Sequence, residues 1–355
     1  MTPRSEIYHM EINGTAVGIK EDPYFIAEAG VNHNGDLDLA ERLIAAAADA
    51  GADAVKFQTF SADRLVTKDA KKAEYQEETT DEDGQYEMLR QYELDRAAHE
   101  RLMEYSAQRD ITFLSTPFDP ESADMLADLG VPAIKVGSGE LDNHPLLEHI
   151  ANLGLPMIVS TGMGTMKEVH EAHEAITAAN PDVEMAFLHC TSSYPAAVED
   201  VNLRAMQTKA AGIPVPVGYS DHTTLLETPA LAVAAGACVL EKHFTIDSTL
   251  PGPDHEASLE PDELARCVEL VETAAKALGD SEKRPVDAEM ETRTVSRKSL
   301  HAATALKPGT TLSEADIRIV RPADGLSPSE LQAVLGRRIV NPRSEDDPLR
   351  KKDLK

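Results

Sequence analysis

The chain has 355 residues, with 34 basic and 62 acidic side chains and a net charge of −28 at pH 7. Without a large Lys/Arg surplus to meet phosphates, neither nucleic acid nor an anionic membrane surface is an expected partner. A hydrophobic content of 42% excludes disorder, and the length fits one barrel of about 250 residues plus a small extra unit.

Residues 1–6 lack the apolar stretch of a signal peptide, so a cytoplasmic location is expected. Residues 7–19 alternate around Asn13-Gly14, which predicts a hairpin. A phrase then recurs: a helical stretch closes on glycine and a short apolar strand follows, at Gly51, Gly130, Gly154, Gly212 and Gly236. Glycine just past a helix takes the left-handed conformation cheaply. Gly130 to Gly154 and Gly212 to Gly236 are both steps of 24 residues, the length of one strand–helix unit. The polar stretch 61–95 is an insertion between two such units.

Eight strands are predicted, at 24–29, 54–57, 112–115, 133–136, 157–160, 185–189, 216–218 and 238–242. Helical patterns follow at 36–50, 97–109, 119–129, 145–153, 167–179, 202–211, 224–235 and 261–278. Strict alternation with eight strands predicts the α/β class and a closed (β/α)8 TIM barrel over residues 1–280. A doubly wound open sheet is the rival, but no GxGxxG follows the first strand. The longest apolar run, 230–240, is too short to span a bilayer. Cys190, Cys238 and Cys267 have no CxxC spacing and read as small core residues. A polar linker at 281–294 leads to a second module at 295–355, whose arginines include Arg318, Arg321, Arg337 and Arg338. The acidic surface as a whole suits high ionic strength, which screens its self-repulsion, so a halophilic source is expected.

Barrel active sites lie at the C-terminal strand ends, and every predicted strand ends in polar groups. Lys56 with Thr116, Ser138, Ser160 and Ser220 would form a cation ringed by hydroxyls, a phosphate cradle without a P-loop. Ser192 follows the sixth strand. His222 and His243 follow neighbouring strands, and two convergent imidazoles suit a divalent metal such as Mn²⁺. Glu28, after the first strand, is placed to manage protons. Gln58, Glu140, Tyr194 and Asp254 complete the strand-end set as candidates to hold a second substrate. A metal beside a phosphate site points to a barrel enzyme joining a phosphorylated donor to an aldehyde.

The motifs FIAEAGVNHNG (25–35), VKFQ (55–58), STPFD (115–119), KVGSGE (135–140) and STGM (160–163) resemble the sialic acid synthase family. HCTSSYP (189–195), VGYSDHT (217–223), EKHFT (241–245) and GPDH (252–255) continue the resemblance in order. The segment from Ser299 to Gly336 is similar to that family's antifreeze-like (SAF, β-clip) domain.

The resemblance implies condensation of phosphoenolpyruvate with an N-acylhexosamine such as N-acetylmannosamine. The product is a nine-carbon 2-keto acid, and phosphate leaves by C–O cleavage. It implies a metal on His222 and His243, with Mn²⁺ typical and Mg²⁺ or Co²⁺ as alternatives, and a proton-handling Glu28. The phosphoenolpyruvate grip would fall to Lys56, Thr116, Ser138, Ser160, Ser192 and Ser220. A domain-swapped homodimer is implied, in which Arg321 reaches the acyl group of the sugar. Some family members have Asn at the position of Ser192, and the usual Arg-Pro-Gly reads Arg321-Pro322-Ala323 here. A legionaminate or pseudaminate synthase acting on a 2,4-diacetamido-trideoxyhexose is the alternative. A non-catalytic glycan-binding protein is the remote one, disfavoured because Glu28, Lys56, His222 and His243 are all present.

Overall fold

In the computed structural model, which describes residues 9–72, 80 and 84–355, eight parallel strands close on themselves. Residues 7 and 8 of the expected hairpin, and 73–79 and 81–83 of the polar insertion, lie outside the described residues. The hairpin is formed by β1 (His9–Ile12) and β2 (Thr15–Gly18). Asn13 and Gly14 turn it with φ of 51° and 81°. The barrel strands are β3 (Tyr24–Gly30), β4 (Ala54–Thr59), β5 (Thr112–Pro117), β6 (Ile134–Val136), β7 (Met157–Ser160), β8 (Met185–Cys190), β9 (Val217–Asp221) and β10 (Val239–His243), and β10 pairs with β3 to close the ring.

Among the described residues of the barrel unit the helices are α1 (Leu37–Asp49), α2 (Ala62–Leu65), α3 (Gln85–Arg90), α4 (Arg96–Gln108), α5 (Pro120–Leu129), α6 (His144–Asn152), α7 (Met166–Ala179), α8 (Arg204–Gly212), α9 (Thr228–Ala234) and α10 (Pro261–Leu278). Their ends follow local chemistry. Asp119 caps α5 by accepting from Ser122 N, Pro120 opens it, and Gly130 ends it in the left-handed conformation with φ 83°. Gly51, Gly154 and Gly236 also carry positive φ. Gly212 does not: it is the last residue of α8, where a Cβ would sit 3.1 Å from His170 Nε2. The seventh strand runs to Asp221, three residues beyond its expected end. The helix after it starts at Thr228 rather than 224, because Lys242 draws the carbonyls of Thr223 and Leu225 into a turn. The insertion contributes α2 and α3, helices too short for periodicity to reveal.

Strand alternation sorts the core into two layers. Phe25, Val55, Phe57, Phe113, Val136, Val159, Phe187 and Leu240 face outward onto the helices. Tyr24, Ile26, Ala54, Leu114, Ala133, Ile158, Ala186 and Val239 fill the lower interior with Met10, Ile12 and Val17 of the hairpin. Glu11 N donates to Glu184 Oε2 at 2.7 Å and Asn13 Nδ2 to Thr112 Oγ1 at 3.2 Å, fastening the hairpin over the N-terminal strand ends. The barrel is therefore stoppered below, and only its upper end is open to carry a site.

Gly218 shows how tight the interior is. A Cβ there would strike the Val239 carbonyl oxygen and lie 2.5 Å from Leu188 Cδ2. Gly218→Ala is expected to destabilise the barrel by about 1–3 kcal/mol. The urea midpoint should fall at unchanged m-value; an unmoved midpoint would refute the overpacking.

Residues 280–355 form a separate compact unit. Its helix α11 (Met290–Ser296) occupies part of the stretch expected as a linker. Strands β11 (Ser299–Ala302) and β12 (Ile317–Val320) pair antiparallel over a small core that includes Leu300, Leu306, Leu312, Leu326, Ile339 and Leu349. Among the described residues no helix is long and apolar enough to cross a membrane.

Candidate active site

The upper interior layer is polar, and its residues are dictated by the same two-residue period. Each strand, or for β6 the residue just before it, presents one buried apolar or small inward residue and, two positions on, a polar, charged or thiol one. Ile26 leads to Glu28, Ala54 to Lys56, Leu114 to Thr116 and Ala133 to Lys135. Ile158 leads to Ser160, Leu188 to Cys190, Gly218 to Ser220 and Val239 to Glu241. All eight of these second residues line one cavity of about 560 Å³.

Their charges interlock. Lys56 Nζ lies 2.7 Å from Glu28 Oε2 and donates to Thr116 Oγ1 at 3.0 Å. Lys135 Nζ donates to Ser160 Oγ at 2.7 Å and to Val136 O at 3.1 Å. Glu241 Oε2 stands 3.7 Å from both lysine amines, and its Oε1 accepts from Ser220 Oγ at 2.9 Å. Burial pushes the Glu28 carboxyl up to about 7, against the pull of Lys56 and with help from Glu241. Burial would raise Glu241 too, but Lys135 and Lys56 hold it at about 2. Burial alone would lower Lys56, and the two glutamates reverse that. Lys135 is held below the usual lysine range, chiefly by burial. The cluster thus contains two lysines, one firmly ionised glutamate, and one glutamate poised to exchange a proton near neutrality.

On the adjoining wall His222 and His243 face each other, with ring centroids 5.3 Å apart and planes at 72°. His222 Nδ1 donates to the Thr191 carbonyl at 2.7 Å, so Nε2 carries the lone pair whenever the ring is neutral; burial favours that neutral form, but the Cys190 thiol and the Thr191 carbonyl outweigh it and raise the imidazole above its ordinary range. Burial and the neighbouring His222 hold His243 well below the usual imidazole range, so it is neutral, the form that ligates metals. Tyr194 packs on both rings, at 4.1 and 5.7 Å. Asp254 Oδ2 lies 3.9 Å from His243 Nδ1, and burial pushes its carboxyl up to about 6. Among the described residues no group of three or more His, Cys, Asp or Glu is assembled for a metal. The two imidazoles are the donors that would hold a divalent ion here, and their chemistry fits one such as Mn²⁺.

Gln58, Ser138, Ser192, Tyr194, His222, His243 and Asp254 line the same cavity. Ser138 Oγ accepts from Gly162 N at 2.9 Å, and a Cβ at residue 162 would collide with Ser192 Oγ. Both hydroxyls thus meet over a position that requires glycine. The expected ring around one cation is different in detail. Thr116 binds Lys56, but Ser160 serves Lys135 and Ser220 serves Glu241, because a second lysine enters the layer. Glu140 is not among the cavity-lining residues. It lies in the 3-10 turn Ser138–Glu140 and its carboxylate accepts from Asn143 Nδ2 at 2.6 Å. Arg321 belongs to the C-terminal unit, one residue past β12, and is exposed. Lys135, Glu241 and Cys190 are site residues that motif reading passed over. The signal was present in their parity: each stands two positions after a buried inward residue.

A family model described as the NeuB family matches residues 43–283. The chain belongs to the NeuB family. A SAF domain model matches residues 297–355, so this NeuB-family chain joins a parallel (β/α)8 barrel to a SAF domain. An N,N'-diacetyllegionaminic acid synthase of Legionella pneumophila is 48% identical over 320 residues, covering 89% of this chain and 90% of that protein. A protein of the same name from Campylobacter jejuni is 44% identical over 327 residues, covering 92% and 98%. The crystal structure of a sialic acid synthetase from Leptospira borgpetersenii, in complex with citrate, superposes with a TM-score of 0.74 at 36% identity, covering 81% of this chain and 96% of that one.

Proposed function

We propose that this NeuB-family chain condenses phosphoenolpyruvate with an N-acylated aminohexose to give a nine-carbon 2-keto acid and phosphate. The observation that carries this reading is the pairing of Lys56 and Lys135 with the facing imidazoles of His222 and His243 in one cavity. The lysines, with the hydroxyls of Thr116, Ser138, Ser160, Ser192 and Ser220, hold the anionic donor. Carbon 3 of the donor forms the new bond to the acceptor aldehyde. Water adds at carbon 2, and phosphate departs with its bridging oxygen. In its ionised form Glu28, 2.7 Å from Lys56, takes one proton from that water and returns it to the former aldehyde oxygen, which becomes a hydroxyl, while the other water proton leaves with the phosphate. His222 and His243 would hold the divalent ion, which when bound supplies Lewis-acid polarisation of the aldehyde.

The acceptor favoured here is a 2,4-diacetamido-trideoxyhexose. Two relatives above 40% identity carry the legionaminic acid name. The cavity wall built by Val31, Met88, Leu89, Tyr92 and Phe118 is largely apolar, which suits a deoxy carbon and acyl methyls. N-acetylmannosamine is the second reading, favoured by the likeness to the sialic acid synthetase. The test is an acceptor panel with phosphoenolpyruvate and Mn²⁺, read by mass spectrometry and phosphate release. The trideoxy acceptor is expected to exceed N-acetylmannosamine in kcat/KM by roughly 10- to 200-fold, the range of a methyl-sized discrimination in an apolar pocket. Phosphate release indifferent to any sugar would sink the synthase reading.

A further inference from the structure

Directly behind the two histidines lies a buried ion pair that the chemistry above does not use. Strands β9 and β10 pair Lys242 with Asp221 in register, one residue before His243 and His222 respectively. Alternation sends the two histidines into the cavity and the two charges into the strand–helix layer. Both charges are fully buried there, with Lys242 Nζ 2.6 Å from Asp221 Oδ2.

The pair is completely satisfied. Asp221 Oδ1 accepts from Tyr219 OH and from Thr223 N, each at 2.9 Å, and Oδ2 accepts from Thr223 Oγ1 at 3.2 Å. Lys242 Nζ also donates to the Thr223 carbonyl and, at 3.2 Å, to that of Leu225. Two charges in an otherwise apolar layer are costly, and packed hydrophobic residues of equal volume are often as stable or more so. What the apolar alternative lacks is direction. An ion pair with carbonyl acceptors fixes the strand ends and the turn after Asp221 in one register. The residues whose spacing is thereby set are His222 and His243.

We infer that the Asp221–Lys242 pair is a clamp that sets the separation of the two histidines and so determines divalent-metal affinity. The inference rests on the metal reading given above. Asp221 and Lys242 are positioning residues and touch no substrate.

Charge alone predicts the opposite sign for one variant. Removing the Lys242 cation should strengthen Mn²⁺ binding by relieving repulsion. The clamp predicts that Lys242→Met weakens it, by about 10- to 100-fold, the usual cost of losing an outer-shell support. The double variant Asp221→Leu/Lys242→Met leaves net charge unchanged and keeps the layer packed. It is expected to fold with a near-wild-type melting temperature and still to bind Mn²⁺ about 10- to 100-fold more weakly.

The measurement is electron paramagnetic resonance of free Mn²⁺ during titration of the full chain, beside KM for phosphoenolpyruvate at saturating Mn²⁺. That KM should stay within about twofold, since second-layer losses fall on the metal. Wild-type Mn²⁺ affinity in the double variant overturns the clamp while leaving the metal reading intact. A His222→Ala chain that binds Mn²⁺ like wild type overturns both. Should Lys242→Met fail to fold, the double variant decides alone.

Discussion

Lys135→Met is expected to lower kcat/KM for phosphoenolpyruvate by about 100- to 1,000-fold, as removal of one partner from a buried charge cluster does. Lys135 is singled out over Lys56 by how each charge is compensated. Lys56 has a carboxylate in direct contact whenever Glu28 is ionised, at 2.7 Å. Lys135 bonds to a neutral hydroxyl and a carbonyl, and its nearest carboxylate oxygen is 3.7 Å away on Glu241. Of the two cations it has more field left for an incoming anion. Burial depresses its pKa, so a bound carboxylate or phosphate would restore what burial removes. The loss should fall mainly on the donor KM, read by phosphate release across a phosphoenolpyruvate titration. Lys135→Arg should recover part of it, because charge survives and geometry does not. An unchanged donor KM in Lys135→Met would assign the anion grip to other residues.

Lys135 also shows where sequence reading stops. The barrel was legible because glycine-punctuated units of constant length repeat, and strand alternation can be read one strand at a time. Glu28, Lys56, His222 and His243 were legible because they stand at strand ends beside motifs. Lys135 and Glu241 stand in equally clear motifs, yet a charge inside a three- or five-residue strand reads as an edge or a helix cap until closure shows which way it points. Glu140 failed for the complementary reason. It follows a strand in sequence, but a 3-10 turn carries it off the cavity to Asn143. The pairing of Asp221 with Lys242 needs the register between β9 and β10, which no spacing along the chain supplies.

Glu28→Gln is expected to lower kcat by about 100- to 10,000-fold, the span associated with a general base, and to stabilise the fold above neutrality. Both effects come from one property. The Glu28 carboxyl titrates at about 7 in the folded barrel against an ordinary value of 4.5. As a base it works ionised, so kcat/KM should climb through about 7 and then level. The glutamine chain should lose that limb. Binding an anionic donor adds negative charge near Glu28, so the limb in kcat should lie higher than the limb in kcat/KM. For stability the sign follows from linkage. A raised carboxyl pKa means the folded state holds its proton more tightly than the unfolded chain. The stabilisation is complete below about 4.5 and is lost as pH rises through about 7. Glutamine mimics the protonated form at every pH and escapes that loss. Glu241 has the opposite dependence, since its pKa of about 2 contributes stability above 4.5 that disappears on acidification. Denaturation midpoints at pH 5 and pH 8 separate the two: Glu28→Gln should gain on wild type at pH 8 and little at pH 5. A variant inactive but equally destabilised at both values would mean that Glu28 is a packing residue and not the proton carrier.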